Sequence, residues 1–127
     1  MNNETVETYF PQLADIQKAA EAIAQVVEET PLQQSIRYSK KYGANILLKR
    51  EDLQRVRSYK IRGAYNKIAS LSKNQLQKGV VCAIAGNHAH AVAFACSHSE
   101  VMGSMFMPVA SPNLNIIITN MIHGASL

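Results

Sequence analysis

Two stretches of the chain hold residues suited to chemistry. In Ser58-Tyr59-Lys60-Ile61-Arg62-Gly63-Ala64, a lysine stands where a helix is expected to begin. The positive end of a helix dipole disfavours an ammonium, so this position helps keep the Lys60 amine neutral. A desolvated, neutral lysine is the type of amine that forms Schiff bases with carbonyl compounds. The competing reading is a solvated surface lysine. The second stretch is Ala83-Ile84-Ala85-Gly86-Asn87-His88-Ala89, which reads as strand, glycine turn and helix start. Backbone N–H groups at such a start make an anion cradle. Asn87 there could hydrogen-bond a ring hydroxyl or a carbonyl. The competing reading is a plain strand-to-helix turn with Asn87 as its N-cap, because one glycine is weak evidence for a phosphate site.

The elements that position these stretches follow from periodicity. Leu13, Ile16, Ala20, Ile23 and Val27 recur at steps of three and four, which predicts a helix over 13–27. Thr30-Pro31 ends it, since the residue before proline avoids the helical region. Ser35 to Tyr42 reads as a short helix stopped by Gly43. Ile46-Leu47-Leu48 is a candidate buried strand. Arg50 to Arg57 is charged and aperiodic, hence a loop. Ser58 is placed to cap a helix from Tyr59 to about Leu71, with Ile61, Ala64, Tyr65, Ile68 and Leu71 on one face. Ser72-Lys73-Asn74-Gln75 fits a capping box, so another short helix begins there and stops at Gly79.

Val80 to Ala85 is a second candidate strand, and His88 to Ser99 an alanine-rich helix broken by Gly103. Ser104 to Met107 reads as a third strand and Pro108 to Ser111 as a loop. Pro112 suits the first turn of another helix, with Gly124 after it. Ala125-Ser126-Leu127 looks like the opening of another strand. From residue 46 onward strands and helices alternate, which argues an α/β fold with a parallel sheet. Ligands of such sheets bind at the carboxyl ends of the strands.

Composition bounds the rest. The 127 residues are 47% hydrophobic, 17% charged and 6% aromatic, an ordinary globular balance. That length allows one domain, or a small two-lobed one. No apolar run approaches the roughly 20 residues of a membrane span. Met1-Asn2-Asn3-Glu4 is polar and partly acidic, unlike a secretory signal or transit peptide, so a soluble cytoplasmic protein is expected. All thirteen Lys and Arg lie in residues 1–78, and from Gly79 to Leu127 the only formally charged side chain is Glu100. So apolar a stretch must pack between layers or face a partner. No nucleic-acid signature is present, so nucleic acid is not an expected partner.

Cys82 and Cys96 are too few for a disulfide framework and read as buried free thiols. His88 and His90 at i, i+2 would point apart on a helix. No C-x-x-C pair exists, so no metal site is expected.

Four segments occur in one order at one spacing: Thr30-Pro31-Leu32, Leu48-Lys49-Arg50-Glu51-Asp52, Ser58 to Ala64, and Ala85-Gly86-Asn87-His88-Ala89. Together they closely resemble the N-terminal part of the threonine dehydratase (threonine ammonia-lyase) family. These are pyridoxal-phosphate enzymes of the type II, tryptophan-synthase-β-like fold, with serine racemase a close relative. The resemblance runs from about Asp15 to about Gly124. It implies that Lys60 is the Schiff-base lysine, which also moves the substrate α-proton. It implies that Tyr59 packs beside the cofactor ring and that Asn87 bonds the cofactor's phenolic oxygen. Gly86, Asn87 and His88 match the loop around the substrate carboxylate. The implied reaction converts L-threonine to 2-oxobutanoate and ammonia, the first step toward isoleucine. Serine dehydration or racemisation is the alternative within the class.

The chain departs from the family pattern at several positions. A family serine whose hydroxyl helps bind the substrate carboxylate is replaced by Ile84, the following glutamine by His90, and the next glycine by Ala91. The Pro112 helix loses its binary pattern at Ile116-Ile117-Ile118. The family's phosphate-binding glycine loop has no counterpart, since no GGGG-like run occurs. The expectation is therefore residues 1–127 as the N-terminal portion of a catalytic domain. It comprises a cofactor-lysine segment at about 46–71 and an asparagine-turn lobe at about 80–127, with no regulatory domain. Such a chain would be a truncated, non-catalytic fragment, a homo-oligomer, or one half of a site completed by a C-terminal partner segment.

Overall fold

Helix starts and stops are set by a few short-range signals. The computed structural model describes residues 9–83, 86–108 and 125–126. Helix α1 spans Leu13–Ile23, with Gln12 and Asp15 forming a capping box. Helix α2 spans Ile36–Tyr42; the Ser35 hydroxyl accepts the Tyr38 N–H, and Gly43 closes the helix at φ +60°, a left-handed conformation that glycine adopts without strain. Helix α3 is Lys60–Ala69. Helix α4, Lys73–Leu76, begins with the expected box between Ser72 and Gln75. Helix α5 is Asn87–His98.

Strands fall into two separate sheets. Strand β1 (Leu32–Gln34) pairs antiparallel with β2 (Leu47–Lys49), with Gln33 opposite Leu48. Strands β3 (Val80–Ala83), β4 (Gly103–Phe106) and β5 (Ala125–Ser126) form a parallel sheet in that order. Val80 lies opposite Gly103, and Gly103 opposite Ala125. The alternation of strand and helix thus correctly indicates a parallel sheet from residue 80 onward.

Four expectations need correction. The strand near 46–48 is not a buried member of the parallel sheet. It sits at 47–49 in an exposed antiparallel pair, because its partner at 32–34 carries two glutamines and presents no apolar face to bury. Helix α1 ends at Ile23 rather than Val27. Val26, off the expected stripe, is 2% exposed and joins the core, which draws the chain off the helical path. Gly103 is not merely a breaker but the first residue of β4, and a Cβ there would stand 3.1 Å from the Cys96 sulfur. Cys96 is buried, but Cys82 is only half-buried.

The core lies between α3 and α5. Ile61, Ala64 and Ile68 from α3 meet Ala89, Val92, Ala93 and Cys96 from α5, with Val56 and Met105 closing the cluster. The predicted α3 face is therefore the observed one. Alanines let the two helices approach closely, and α5 is buried on most of its circumference. The segment 109–124, including the expected loop at Pro108–Ser111 beyond its first residue and the Pro112 helix, lies outside the described residues, as do Ile84 and Ala85.

Candidate active site

The local frame of Lys60 starts with Ser58. Its hydroxyl is buried and accepts the Lys60 backbone N–H at 3.3 Å. Tyr59, in helical geometry at φ −60° and ψ −15°, occupies the N-cap and offers no side-chain cap. Ser58 therefore serves the helix start from one residue further back than expected. Lys60 is the first residue of α3 and is half-buried. Among the described residues, no hydrogen bond or ion pair engages its amine.

Lys60 opens into a cavity of about 630 Å³ lined by Tyr59, Arg62, Gly63, Ala64, Ala83 and His88. The site thus sits where β3 ends at Ala83 and α5 begins, the carboxyl end of a parallel strand. Tyr59 is 64% exposed, with its ring free to cover a planar ligand. Gly86 is the N-cap of α5 at φ +66°, and Asn87 is the first helical residue, not the cap. Asn87 is exposed and lies one residue before the cavity-lining His88. The structure therefore brings Tyr59, Lys60 and His88 to one cavity. It puts Gly86 and Asn87 at its edge, outside the lining.

The polar frame around α3 was not anticipated from sequence. Glu51, in a single 3-10 turn at Glu51–Leu53, accepts both the Nε and Nη2 hydrogens of Arg62 at 2.8 Å each. The Thr30 hydroxyl donates to the same carboxylate, and the Gln54 amide lies within 3.4 Å. These donors, the Arg62 guanidinium first, hold the Glu51 carboxyl down at about 2 against burial that pushes it up. The Arg62 guanidinium is raised by the same pair. Gln54, 1% exposed, also grips the Glu28 backbone in both directions, accepting its N–H at 3.0 Å and donating to its carbonyl at 2.9 Å. The Lys49 ammonium donates to the Thr30 carbonyl. The segment expected to be a plain loop is thus a connector between α1, β2 and α3. Both members of the fork stood in the quoted motifs, Lys49-Arg50-Glu51 and Lys60-Ile61-Arg62. Their pairing across the sequence carried no local signal.

Neither thiol is among the residues that line the cavity. Burial pushes the Cys96 thiol up to about 11 and raises Cys82 too, so both stay protonated and weakly nucleophilic near neutral pH.

The lining suits pyridoxal phosphate. It offers a primary amine with no partner among the described residues, an exposed aromatic ring and a floor of small residues, in a space large enough for a small aromatic cofactor. The fold and this site define a class: the chain belongs to the pyridoxal-phosphate dependent enzyme family, whose family model matches residues 23–126. Its architecture is that of the type II, tryptophan-synthase-β-like enzymes. More particularly, it is 51% identical over 110 residues to the biosynthetic L-threonine dehydratase IlvA of Bacillus subtilis. That match covers 87% of this chain and 26% of the relative. The Mycobacterium tuberculosis protein of the same name is 54% identical over 99 residues, covering 78% of this chain and 23% of its own length. Among solved structures, maize serine racemase superposes with a TM-score of 0.86 at 31% identity, over 93% of this chain and 36% of that one. Processed threonine deaminase isoform 2 of Solanum lycopersicum gives 0.77 at 34%, over 95% and 35%. The chain spans about a quarter of the length of the dehydratases it matches. Among the described residues, no helix is long and apolar enough to cross a membrane.

Proposed function

We propose that this chain is the N-terminal, cofactor-lysine portion of a cytoplasmic pyridoxal-phosphate lyase that deaminates L-threonine to 2-oxobutanoate and ammonia. The observation that carries the reading is the convergence of Tyr59, Lys60 and His88 on one cavity at the end of β3. Lys60 would hold the cofactor through Nζ, with Tyr59 beside the ring and Asn87 at its edge. When bound, pyridoxal phosphate supplies an electron sink for charge left at the substrate α-carbon. Lys60 Nζ takes the α-proton, a role that suits an amine with no partner among the described residues. Gly86, Asn87 and His88 present the positive end of α5 to the substrate carboxylate, and the backbone N–H groups of Asn87 and His88 supply the donors, the Ala89 N–H being engaged by the Gly86 carbonyl.

Relatives named as biosynthetic L-threonine dehydratases match at 47–54% identity, and among solved structures the Solanum lycopersicum threonine deaminase matches at 34% against 31% for the maize serine racemase, which favours threonine over serine chemistry. The chain offers this site as part of a larger fold. Leu13, Ile16, Val81 and Phe106 are exposed apolar residues that a second copy or a partner segment carrying more of the fold would cover.

The test is reduction of the protein with borohydride in the presence of pyridoxal phosphate, followed by peptide mapping. Lys60 is the expected labelled residue. Dominant label on Lys49 or Lys67 overturns the assignment.

A further inference from the structure

The first turn of α3 is electrostatically awkward. It carries Lys60 and Arg62, two cations at the positive end of a helix dipole, and no acidic residue of its own. It also lacks a side-chain cap on Tyr59. The missing anion comes from elsewhere. Glu51 reaches across eleven positions of sequence and takes Arg62 in a two-pronged fork at 2.8 Å per prong. A planar fork fixes direction as well as distance, unlike a single contact. Glu51 is itself held by Thr30 and Gln54, and Gln54 is anchored on the Glu28 backbone. Arg62 lines the same cavity as Lys60 and stands two residues beyond it. The fork leaves Lys60 as the cation of that turn with no carboxylate partner among the described residues.

We infer that Glu51 is a positioning residue for Lys60. By clamping Arg62 it sets the first turn of α3 and spends its own charge there, so that the Lys60 amine faces the cavity unpaired. The inference rests on the reading of Lys60 as the cofactor lysine. Nothing in it requires Glu51 to touch substrate or cofactor.

The experiment compares the whole chain with Glu51→Gln and with the double variant Glu51→Gln/Arg62→Gln. One readout is the ratio of Lys60 to Lys73 labelling by pyridoxal phosphate and borohydride, Lys73 being an exposed internal reference. The other is amide exchange at Lys60 and Arg62 relative to Ile68, deeper in the same helix. Glu51→Gln should lower the labelling ratio on the order of tenfold, less than the roughly hundredfold that a 1 Å misplacement of a reacting group can cost. Exchange at Lys60 and Arg62 should quicken by about the same factor while Ile68 stays protected, as local opening requires. The double variant removes the orphaned guanidinium along with the carboxylate, so the fold is kept if charge repulsion was the only damage. Its labelling ratio should stay low, because the clamp is still missing. Recovery of the ratio in the double variant, or wild-type ratio and protection in Glu51→Gln, overturns the inference. If Glu51→Gln unfolds, the double variant decides. A wild-type protein with no preference for Lys60 overturns the cofactor-lysine reading instead, and the exchange readout then still judges the clamp.

Discussion

The segment from Glu28 to Arg62 and the pair α5–β4 are held together by opposite means. In the first, side chains grip one another through charge. Arg62 forks onto Glu51, Arg55 meets Glu28 at 2.9 Å, and Arg50 reaches both Asp52 and Gln33. Few residues there are buried, and the buried ones include Thr30, Gln54 and Ser58. In the second, Ala89, Ala91, Ala93, Ala95 and Cys96 are buried against α3 and β4, with no ion pair among the described residues. This fold therefore aims its lysine with a polar frame and seats that frame on a floor of small side chains. The polar frame should tolerate changes of size and fail on loss of charge. The floor should do the reverse.

Ile61 belongs to both regions, because it lies between Lys60 and Arg62 in sequence yet is 0% exposed. Ile61→Ala should cost about 2–5 kcal/mol of stability, the range for emptying a core site. Denaturant unfolding monitored by circular dichroism reads this. A cost below that of any surface substitution would place Ile61 outside the core.

Glu51→Gln comes next. It keeps volume and removes charge, so the floor should be untouched. Arg62 is left without its carboxylate, but about a third of its side chain meets solvent, which softens the penalty. A loss of about 1.5–2 kcal/mol is expected, the lower part of the range for hydrogen bonds to charged groups. The matching change Asp52→Asn, in a more exposed pair, should cost clearly less. Equal losses at the two sites would erase the distinction between a frame and ordinary surface pairing.

Much of this architecture was legible where the signal is local. Ser72 and Gln75 stand three residues apart and cap α4, and Ser35 and Gly43 bracket α2. The apolar spacing of Ile61, Ala64 and Ile68 marked the buried face of α3. Lys60 and His88 were legible because each sits in a motif that is itself a strand or helix boundary. What escaped was pairing between distant residues. Glu51 and Arg62 have no shared periodicity, and a single apolar residue in Leu32-Gln33-Gln34 gives no strand signal. Arg62 was quoted in the motif without a role in the cavity, because its direction depends on where Glu51 lies. Ile84, which stands where the family has a serine, falls outside the described residues.

Gly103→Ala tests the floor for its tolerance of size. It adds one methyl and no charge. The new Cβ would stand 3.1 Å from the Cys96 sulfur and 3.4 Å from its Cβ, so α5 or β4 must shift slightly. A loss of about 1 kcal/mol is expected, the low end for overpacking. Cys96→Ala in the same background should recover part of it by vacating the sulfur's space. A double-variant cycle checks this. Strict additivity of the two substitutions would show that they do not meet.

The smallest effect is the pH dependence of the frame. The Glu51 carboxyl is held at about 2 in the folded chain, below its ordinary 4.5. A depressed folded-state value means that the contribution is fully present above 4.5 and is lost as pH falls toward 2. Asp15 and Asp52 are also lowered, by hydrogen bonds from Tyr9 and Arg50 respectively, and both are surface groups. They titrate alike in wild type and Glu51→Gln, so the difference in stability between the two proteins isolates Glu51. That gap should narrow by about 1 kcal/mol between about pH 6 and pH 3.5, allowing for the solvent that reaches Arg62. Urea unfolding of both proteins across that interval measures it. A gap that stays constant would mean that the carboxylate is not held by Arg62, and the polar frame would then be no more pH-sensitive than the alanine floor. A gap that widens as pH falls would give the wrong sign for a depressed carboxyl and place Glu51 in a site that favours its protonated form.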